Sequence, residues 1–314
     1  MQTNRSGSKF ESTGMPAIEV EGQTVYHGNS EQMCNIPDDS VQLIVTSPPY
    51  WNLKKYGQKV HQIGAEGYDT YLNRMSRVWS ECYRIAKRGG ILVINVNSRR
   101  NKGVLYPIAF DIYRTIESWK MWDVNIWYIP NALPQPNHYI ERLLDNKFEY
   151  LLVFLKGSPE EYKFRKPRVP QKYINADPRS HKKNSRGRCL GNVIRIPAYR
   201  PPNIKQLGYH EAAYPEELVA LMVETYTDTG DIVVDPFLGS GTTLKVCRVM
   251  NRRGIGYELN EDYGNLIEKR IREPWAVPDW RKVDILHSTT METGMNGTRK
   301  IHFASRVGVQ PDLI

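Results

Sequence analysis

The chain has 314 residues, 40 % of them hydrophobic, and a formal net charge of +9, enough length for one large domain with an insertion or for two. No apolar run nears the roughly 20 residues of a bilayer span, and the opening MQTNRSGSKFESTG lacks the apolar centre of a secretion signal, so a cytoplasmic protein without a membrane partner is expected. Cys34, Cys82, Cys189 and Cys247 are widely spaced, with no CxxC pair and no Cys/His cluster of zinc spacing, which predicts ordinary thiols and no metal.

In chain order, Val41, Leu43, Ile44 and Val45 have the apolar, β-rich character of a strand covered on both faces, and Pro48 and Pro49 forbid its continuation. The chain must leave the sheet at Ser47, and residues 47–51 become a candidate rim at the end of a buried strand. Tyr68 to Ala86 sets Leu72, Met75, Val78, Trp79, Cys82 and Ile85 at helical spacing, and Gly89 to Val96 reads as a buried strand. A helix over Ile108 to Trp119 and strands over Val124 to Tyr128 and Tyr150 to Leu155 follow. Pro215 stands at the first position of a helix carrying Leu218, Leu221 and Met222, with Glu216 and Glu217 in its first turn. Strand Ile232 to Asp235, helix Thr242 to Met250, strand Gly254 to Glu258 and helix Glu261 to Ile271 complete the alternation, which predicts an α/β fold with a doubly wound, mostly parallel sheet. The polar, aperiodic end from about Ser288 is expected to be loosely ordered.

The charge is localised. Lys156 to Gln206 holds 14 of the 43 basic residues and 3 of the 34 acidic ones, so the whole positive excess sits there. Cations interleaved with Tyr162, Phe164, Tyr173 and Tyr199 suit a surface that tracks a phosphate backbone; a solvated basic linker is the alternative.

A second signal is DIVVDPFLGSGTT, Asp231 to Thr243, which leaves a strand, turns on Gly239 and Gly241, and opens a helix. Glu258, at the end of the next strand, is placed to accept hydrogen bonds from ribose hydroxyls. The loop has neither GxGxxG nor a P-loop lysine, which argues against nicotinamide cofactors and nucleoside triphosphates.

TSPPYW, EYLLVFLKG, YPEELVALMVETYTDTGDIVVDPFLGSGTT and GIGYELNEDY, in that order, resemble the permuted, β-type class of S-adenosylmethionine-dependent amino-methyltransferases of DNA. The similarity runs from about Val25 to Ile271, and the basic stretch falls where that class keeps its target-recognition region. The resemblance implies a Rossmann-like methyltransferase fold divided into an N-terminal tail (1–24), a catalytic part (25–155), a basic target-recognition insertion (156–206), a cofactor-binding part (207–287) and a C-terminal tail (288–314).

It also implies roles. Ser47, Pro48, Pro49 and Tyr50 form the catalytic motif: the Pro48 carbonyl and Ser47 side chain hold the amine hydrogens, and Tyr50 offers a face to a flipped-out base. Asp235, Phe237, Gly239, Ser240, Gly241 and Thr242 match the methionine-binding loop, and Glu258 the ribose acid. Asn29 stands where the class usually has an Asp that touches the cofactor adenine. Lys54, Arg179, Lys182, Lys183, Arg186 and Arg188 are candidates for DNA contact, and Trp51 and Tyr56 either line the pocket or pack. His27 and His210, both isolated, are expected to be structural.

Serine at 47 is typical of the cytosine-N4 members, whereas adenine-N6 members usually carry Asp or Asn. The implied activity is therefore cytosine-N4 methylation of double-stranded DNA, either in a restriction-modification system with a cognate endonuclease as partner or as a solitary regulator, with a monomer or homodimer as assembly. Adenine-N6 methylation, an RNA or protein amine substrate, and a non-catalytic DNA-binding protein remain as alternatives. A carbon-5 enzyme would need a cysteine after the prolines, and none is there.

Overall fold

The computed structural model describes residues 18–51, 63–64, 66–136, 139, 141–169, 188–198, 214–273, 290–293 and 299–302. Its elements in chain order begin with β1 (Ile18–Val20), β2 (Gln23–His27), β3 (Val41–Thr46), α1 (Tyr68–Ile85) and β4 (Ala86–Val96). The small hairpin β5 (Arg99–Asn101) and β6 (Val104–Tyr106) leads to α2 (Ile108–Thr115), β7 (Lys120–Tyr128), β8 (Phe148–Leu155), β9 (Arg168–Val169), β10 (Arg188–Cys189) and β11 (Val193–Arg195). Then come α3 (Glu216–Tyr226), β12 (Ile232–Asp235), α4 (Thr242–Val249), β13 (Arg253–Glu258), a 3-10 turn (Glu261–Tyr263), α5 (Gly264–Arg272), β14 (Thr290–Thr293) and β15 (Arg299–His302).

Among the described residues, nine strands share one sheet in the order β1-β2-β13-β12-β3-β4-β8-β7-β11. The five strands from β2 to β4 in that order run parallel, and β8 enters antiparallel between β4 and β7. Helices cover both faces, which explains why β3 is buried at all six positions. Ile44, Leu92 and Ile94 pack with Met75, Trp79 and Ile112 on one side. Leu43, Val45, Ile91 and Val93 pack with Leu218, Leu221 and Val223 on the other. Each such aliphatic side chain contributes about 1.5–3 kcal/mol by leaving water.

From β12 the chain winds outward through α4 to β13, and from β3 it winds the opposite way through α1 to β4. The carboxyl ends of these two adjacent strands therefore flank the switch point, where open α/β sheets form their ligand crevice.

The doubly wound expectation holds, with local differences. The buried face of α1 carries Tyr71 in place of Leu72, because Tyr71 turns toward the core at the helix start. Strand β4 begins at Ala86, directly after the helix. Helix α2 stops at Thr115, short of Trp119, which is buried in its own right and donates to the Trp79 carbonyl. Pro215 caps α3 from just outside it. Where a loosely ordered tail was expected, β14 and β15 pair antiparallel.

The range 156–206 is not wholly separate from the sheet either. β11 pairs parallel with β7, and the Trp127 indole donates to the Ile196 carbonyl at 2.7 Å. Several cations of the stretch are used inside the protein: Lys156 reaches the Tyr83 and Ala86 carbonyls and Asp39, Lys163 pairs with Asp228 and Asp231, and Arg165 pairs with Asp228. Tyr56, Lys54, Arg179, Lys182, Lys183, Arg186 and His210 lie outside the described residues, and Arg188 is described only as backbone of β10. No helix of the described residues is long and apolar enough to cross a membrane.

Candidate active site

Two loops meet at the switch point. β3 ends at Thr46, and the prolines that follow turn the chain out of the sheet, leaving Pro48 buried and Ser47, Pro49 and Tyr50 half-buried. β12 ends at Asp235, and the next residues loop over its end before α4 begins. The loops are joined directly: Thr46 Oγ1 donates to Asp235 Oδ1 at 2.6 Å.

Asp235 is only 1 % exposed, and protein donors fill its oxygens. The Phe237 amide shares Oδ1 at 3.0 Å with Thr46, while Tyr214 and Thr243 hydroxyls reach Oδ2 at 2.9 and 2.6 Å. Burial raises the Asp235 pKa, opposed by those same hydrogen bonds. The carboxylate thus holds its neighbouring segments together.

Gly239 and Gly241 both have positive φ, 55° and 89°. At Gly241 a side chain would also press on Ile267, so the turn requires glycine there. The Gly239 amide donates to Glu258 Oε2, and the Asn260 amide to Oε1, both at 2.8 Å. Burial pushes the Glu258 carboxyl up to about 7 against those two donors. Phe237 is half-buried with its ring edge-on to Trp79, whereas Ser240 and Thr242 are buried. A glycine turn thus faces a half-buried acid at the end of the next strand.

On the other loop, the Tyr50 hydroxyl donates to Glu149 Oε2 at 3.0 Å, and the Asn95 amide donates to the same oxygen at 2.6 Å. Asn95 Nδ2 also lies 3.5 Å from Ser47 Oγ. Burial raises the pKa of Glu149, and burial with the neighbouring Glu149 raises that of Tyr50 well above its ordinary value, so the phenol stays a donor. The buried Asn95 Oδ1 meets no donor among the described residues. β3, β4 and β8 thus bring Ser47, Asn95 and Glu149 together at one end of the sheet.

Other residues singled out in the sequence make protein contacts around these loops. Both polar atoms of the Asn29 amide are taken by Glu31, its Nδ2 donating to the Glu31 carboxylate and its Oδ1 accepting from the Glu31 amide. Trp51 is a packing residue: it is 8 % exposed, donates to the Glu66 carbonyl, and packs on the rings of Tyr68 and Tyr106. His27 lies 3.4 Å from the Glu258 carbonyl, a structural contact. All four cysteines are free, and no group of ligating side chains among the described residues could hold a metal.

Thr46, Glu149, Tyr214 and Thr243 stand within the quoted motifs without an assigned role, and Asn95 stands in the predicted strand Gly89 to Val96.

Sheet order, helices on both faces and a crevice at the β12–β3 switch point define a doubly wound α/β protein with a strand-end ligand site. The profile of the N6/N4 methyltransferase family, described as DNA methylase, matches residues 41–269, and the chain belongs to this family of S-adenosylmethionine-dependent DNA amino-methyltransferases. Curated relatives include the Type II methyltransferase M.MjaI of Methanocaldococcus jannaschii, 30 % identical over 79 % of this chain and 90 % of its own length. M.Cfr9I of Citrobacter freundii is 31 % identical over 81 % and 89 %. Among solved structures, the cytosine-N4-specific PvuII DNA methyltransferase shares the fold (TM-score 0.60, 21 % identity, 84 % of this chain and 90 % of that one). TTHA0409 of Thermus thermophilus, solved in complex with S-adenosyl-L-methionine, has a TM-score of 0.52 and 26 % identity over 79 % and 92 %.

Proposed function

We propose that this DNA methyltransferase transfers a methyl group to the N4 amine of a cytosine flipped out of duplex DNA. The observation that carries the reading is the Thr46–Asp235 hydrogen bond, which puts the Ser47-Pro48-Pro49-Tyr50 rim against the glycine loop that would hold the methyl donor. An exocyclic amine is a poor nucleophile because its lone pair is delocalised into the ring. The Pro48 carbonyl and Ser47 Oγ accept its hydrogens, let the nitrogen pyramidalise and aim the lone pair in line with the donor. When bound, S-adenosylmethionine supplies an electrophilic sulfonium methyl. Nitrogen bonds to that carbon as the carbon–sulfur bond breaks, and the surplus amine proton leaves through the acceptors to water.

On this reading Phe237, Gly239, Gly241 and Glu258 hold the cofactor, with Ser240 and Thr242 buried beneath them and Asp235 fixing the loop. Ser47 favours cytosine over adenine because serine, where adenine-N6 members usually carry Asp or Asn, is the residue typical of the cytosine-N4 members of the class. Type II relatives such as M.MjaI support a place in a restriction-modification system, beside an endonuclease cutting the same site and in the cytoplasm, where that DNA is.

The test is incubation with mixed-sequence duplex DNA and methyl-labelled S-adenosylmethionine, followed by digestion to nucleosides. Labelled N4-methylcytosine is the expected product; N6-methyladenine would overturn the base assignment.

A further inference from the structure

The β5–β6 hairpin leaves the sheet at the carboxyl end of β4, the end that carries Asn95 and the catalytic rim. Residues 98–106, SRRNKGVLY, hold three cations and no acid. The register pairs Arg99 with Tyr106, Arg100 with Leu105 and Asn101 with Val104, leaving a two-residue turn of Lys102 and Gly103. Both turn residues have positive φ, 48° and 84°, as a tight primed hairpin turn requires.

Asparagine or glycine suits the first of these positions. Lysine there strains the backbone and sets an exposed cation at the tip. Arg100 is held beside it by a 2.9 Å hydrogen bond to the Gly103 carbonyl. Val104 and Leu105 are 57 % and 51 % exposed, two large aliphatic side chains left uncovered among cations. The base of the hairpin is fixed, because the Tyr106 ring packs on Trp51 at 4.4 Å and on Tyr68 at 4.9 Å. Trp51 directly follows the catalytic Ser-Pro-Pro-Tyr, so the hairpin is rigidly referenced to the rim.

We propose that the β5–β6 hairpin is a DNA-contacting element distinct from the basic insertion, with Arg100 and Lys102 on backbone phosphates beside the target base and Val104 and Leu105 against sugars. Cations with adjacent apolar side chains complement a polyanion with an apolar sugar surface, and the catalytic rim at the same strand ends already commits this end of the sheet to DNA. The inference rests on the DNA-methyltransferase reading.

The test is fluorescence anisotropy with a mixed-sequence labelled duplex between about 50 and 200 mM salt, on Arg100→Gln, Lys102→Gly and the double variant. Lys102→Gly cannot fail by misfolding at a left-handed position that glycine prefers, and its melting temperature is expected to hold or rise. The expected result is a slope of log affinity against log salt smaller by about 1 for each cation removed, with S-adenosylmethionine affinity unchanged. Variants with the wild-type slope and affinity would overturn the hairpin assignment. Failure of the wild-type protein itself to bind DNA would instead overturn the functional reading on which it rests.

Discussion

Thr46 Oγ1 and Asp235 Oδ1 lie 2.6 Å apart although 189 residues separate them in the chain, and their hydrogen bond ties the last residue of β3 to the last residue of β12. The two loops, which on the proposed function act on one methyl group, are thereby fixed to each other through a buried bond. Replacing Thr46 with the isosteric Val keeps the packing and removes one donor from a buried carboxylate. The expected loss of stability is about 1–3 kcal/mol, read by denaturant unfolding, with weaker S-adenosylmethionine binding. Asp235→Ala is expected to be more damaging, because it strands the Thr46, Tyr214 and Thr243 hydroxyls in the core.

Glu258 gives the site a pH dependence with a definite sign. Its folded-state pKa of about 7 lies above the ordinary 4.5. Its contribution to the unliganded fold is therefore fully present below 4.5 and lost as pH rises through about 7. On the proposed function ribose hydroxyls donate to this carboxylate, best when it is ionised, so cofactor binding is expected to run the other way and strengthen with rising pH. Calorimetric titration is expected to give an affinity roughly tenfold weaker at about pH 6 than at about pH 8, and Glu258→Gln is expected to flatten that profile while weakening binding overall.

Glu149 gathers the Tyr50 hydroxyl and the Asn95 amide on one oxygen, and Asn95 adjoins Ser47. Glu149→Gln turns a double acceptor into a group with one acceptor oxygen and two competing N–H donors. Single-turnover methylation is expected to slow by about 10²-fold with cofactor affinity within a factor of about two, the pattern of lost positioning. Tyr50→Phe is expected to produce a smaller loss, since Asn95 keeps its bond to Glu149.

Trp51 is expected to respond as a core residue. Trp51→Ala opens a cavity between Tyr68 and Tyr106 and costs about 3–5 kcal/mol by thermal or denaturant unfolding. Trp51→Phe is expected to retain most of both stability and activity.

Strands β3 and β12, the two proline-ended and glycine-rich loops and the order of the motifs are readable from sequence because each is encoded locally. A run such as VQLIVT followed by Ser-Pro-Pro has few other places to go in an α/β chain. The residues that make the site a unit are not local. Asn95 and Glu149 come together because β8 is antiparallel to β4, and Tyr214 meets Asp235 because it precedes α3, which packs on α4 and on β3 beside β12. No periodicity within one segment reports such contacts. Charge density misleads in the opposite direction: Lys156, Lys163 and Arg165 belong to the basic stretch by composition, yet carbonyls and carboxylates of the protein engage them. Trp51, next to the catalytic motif in sequence, points into an aromatic cluster behind it.

The most direct test of the arrangement is to measure S-adenosylmethionine affinity and single-turnover methylation of DNA on one preparation of Ser47→Ala. The rate is expected to fall by about 10²-fold or more with the cofactor dissociation constant within about twofold of wild type, because on the proposed function Ser47 meets the amine and not the cofactor. An unchanged methylation rate, or a parallel collapse of cofactor binding, would contradict it.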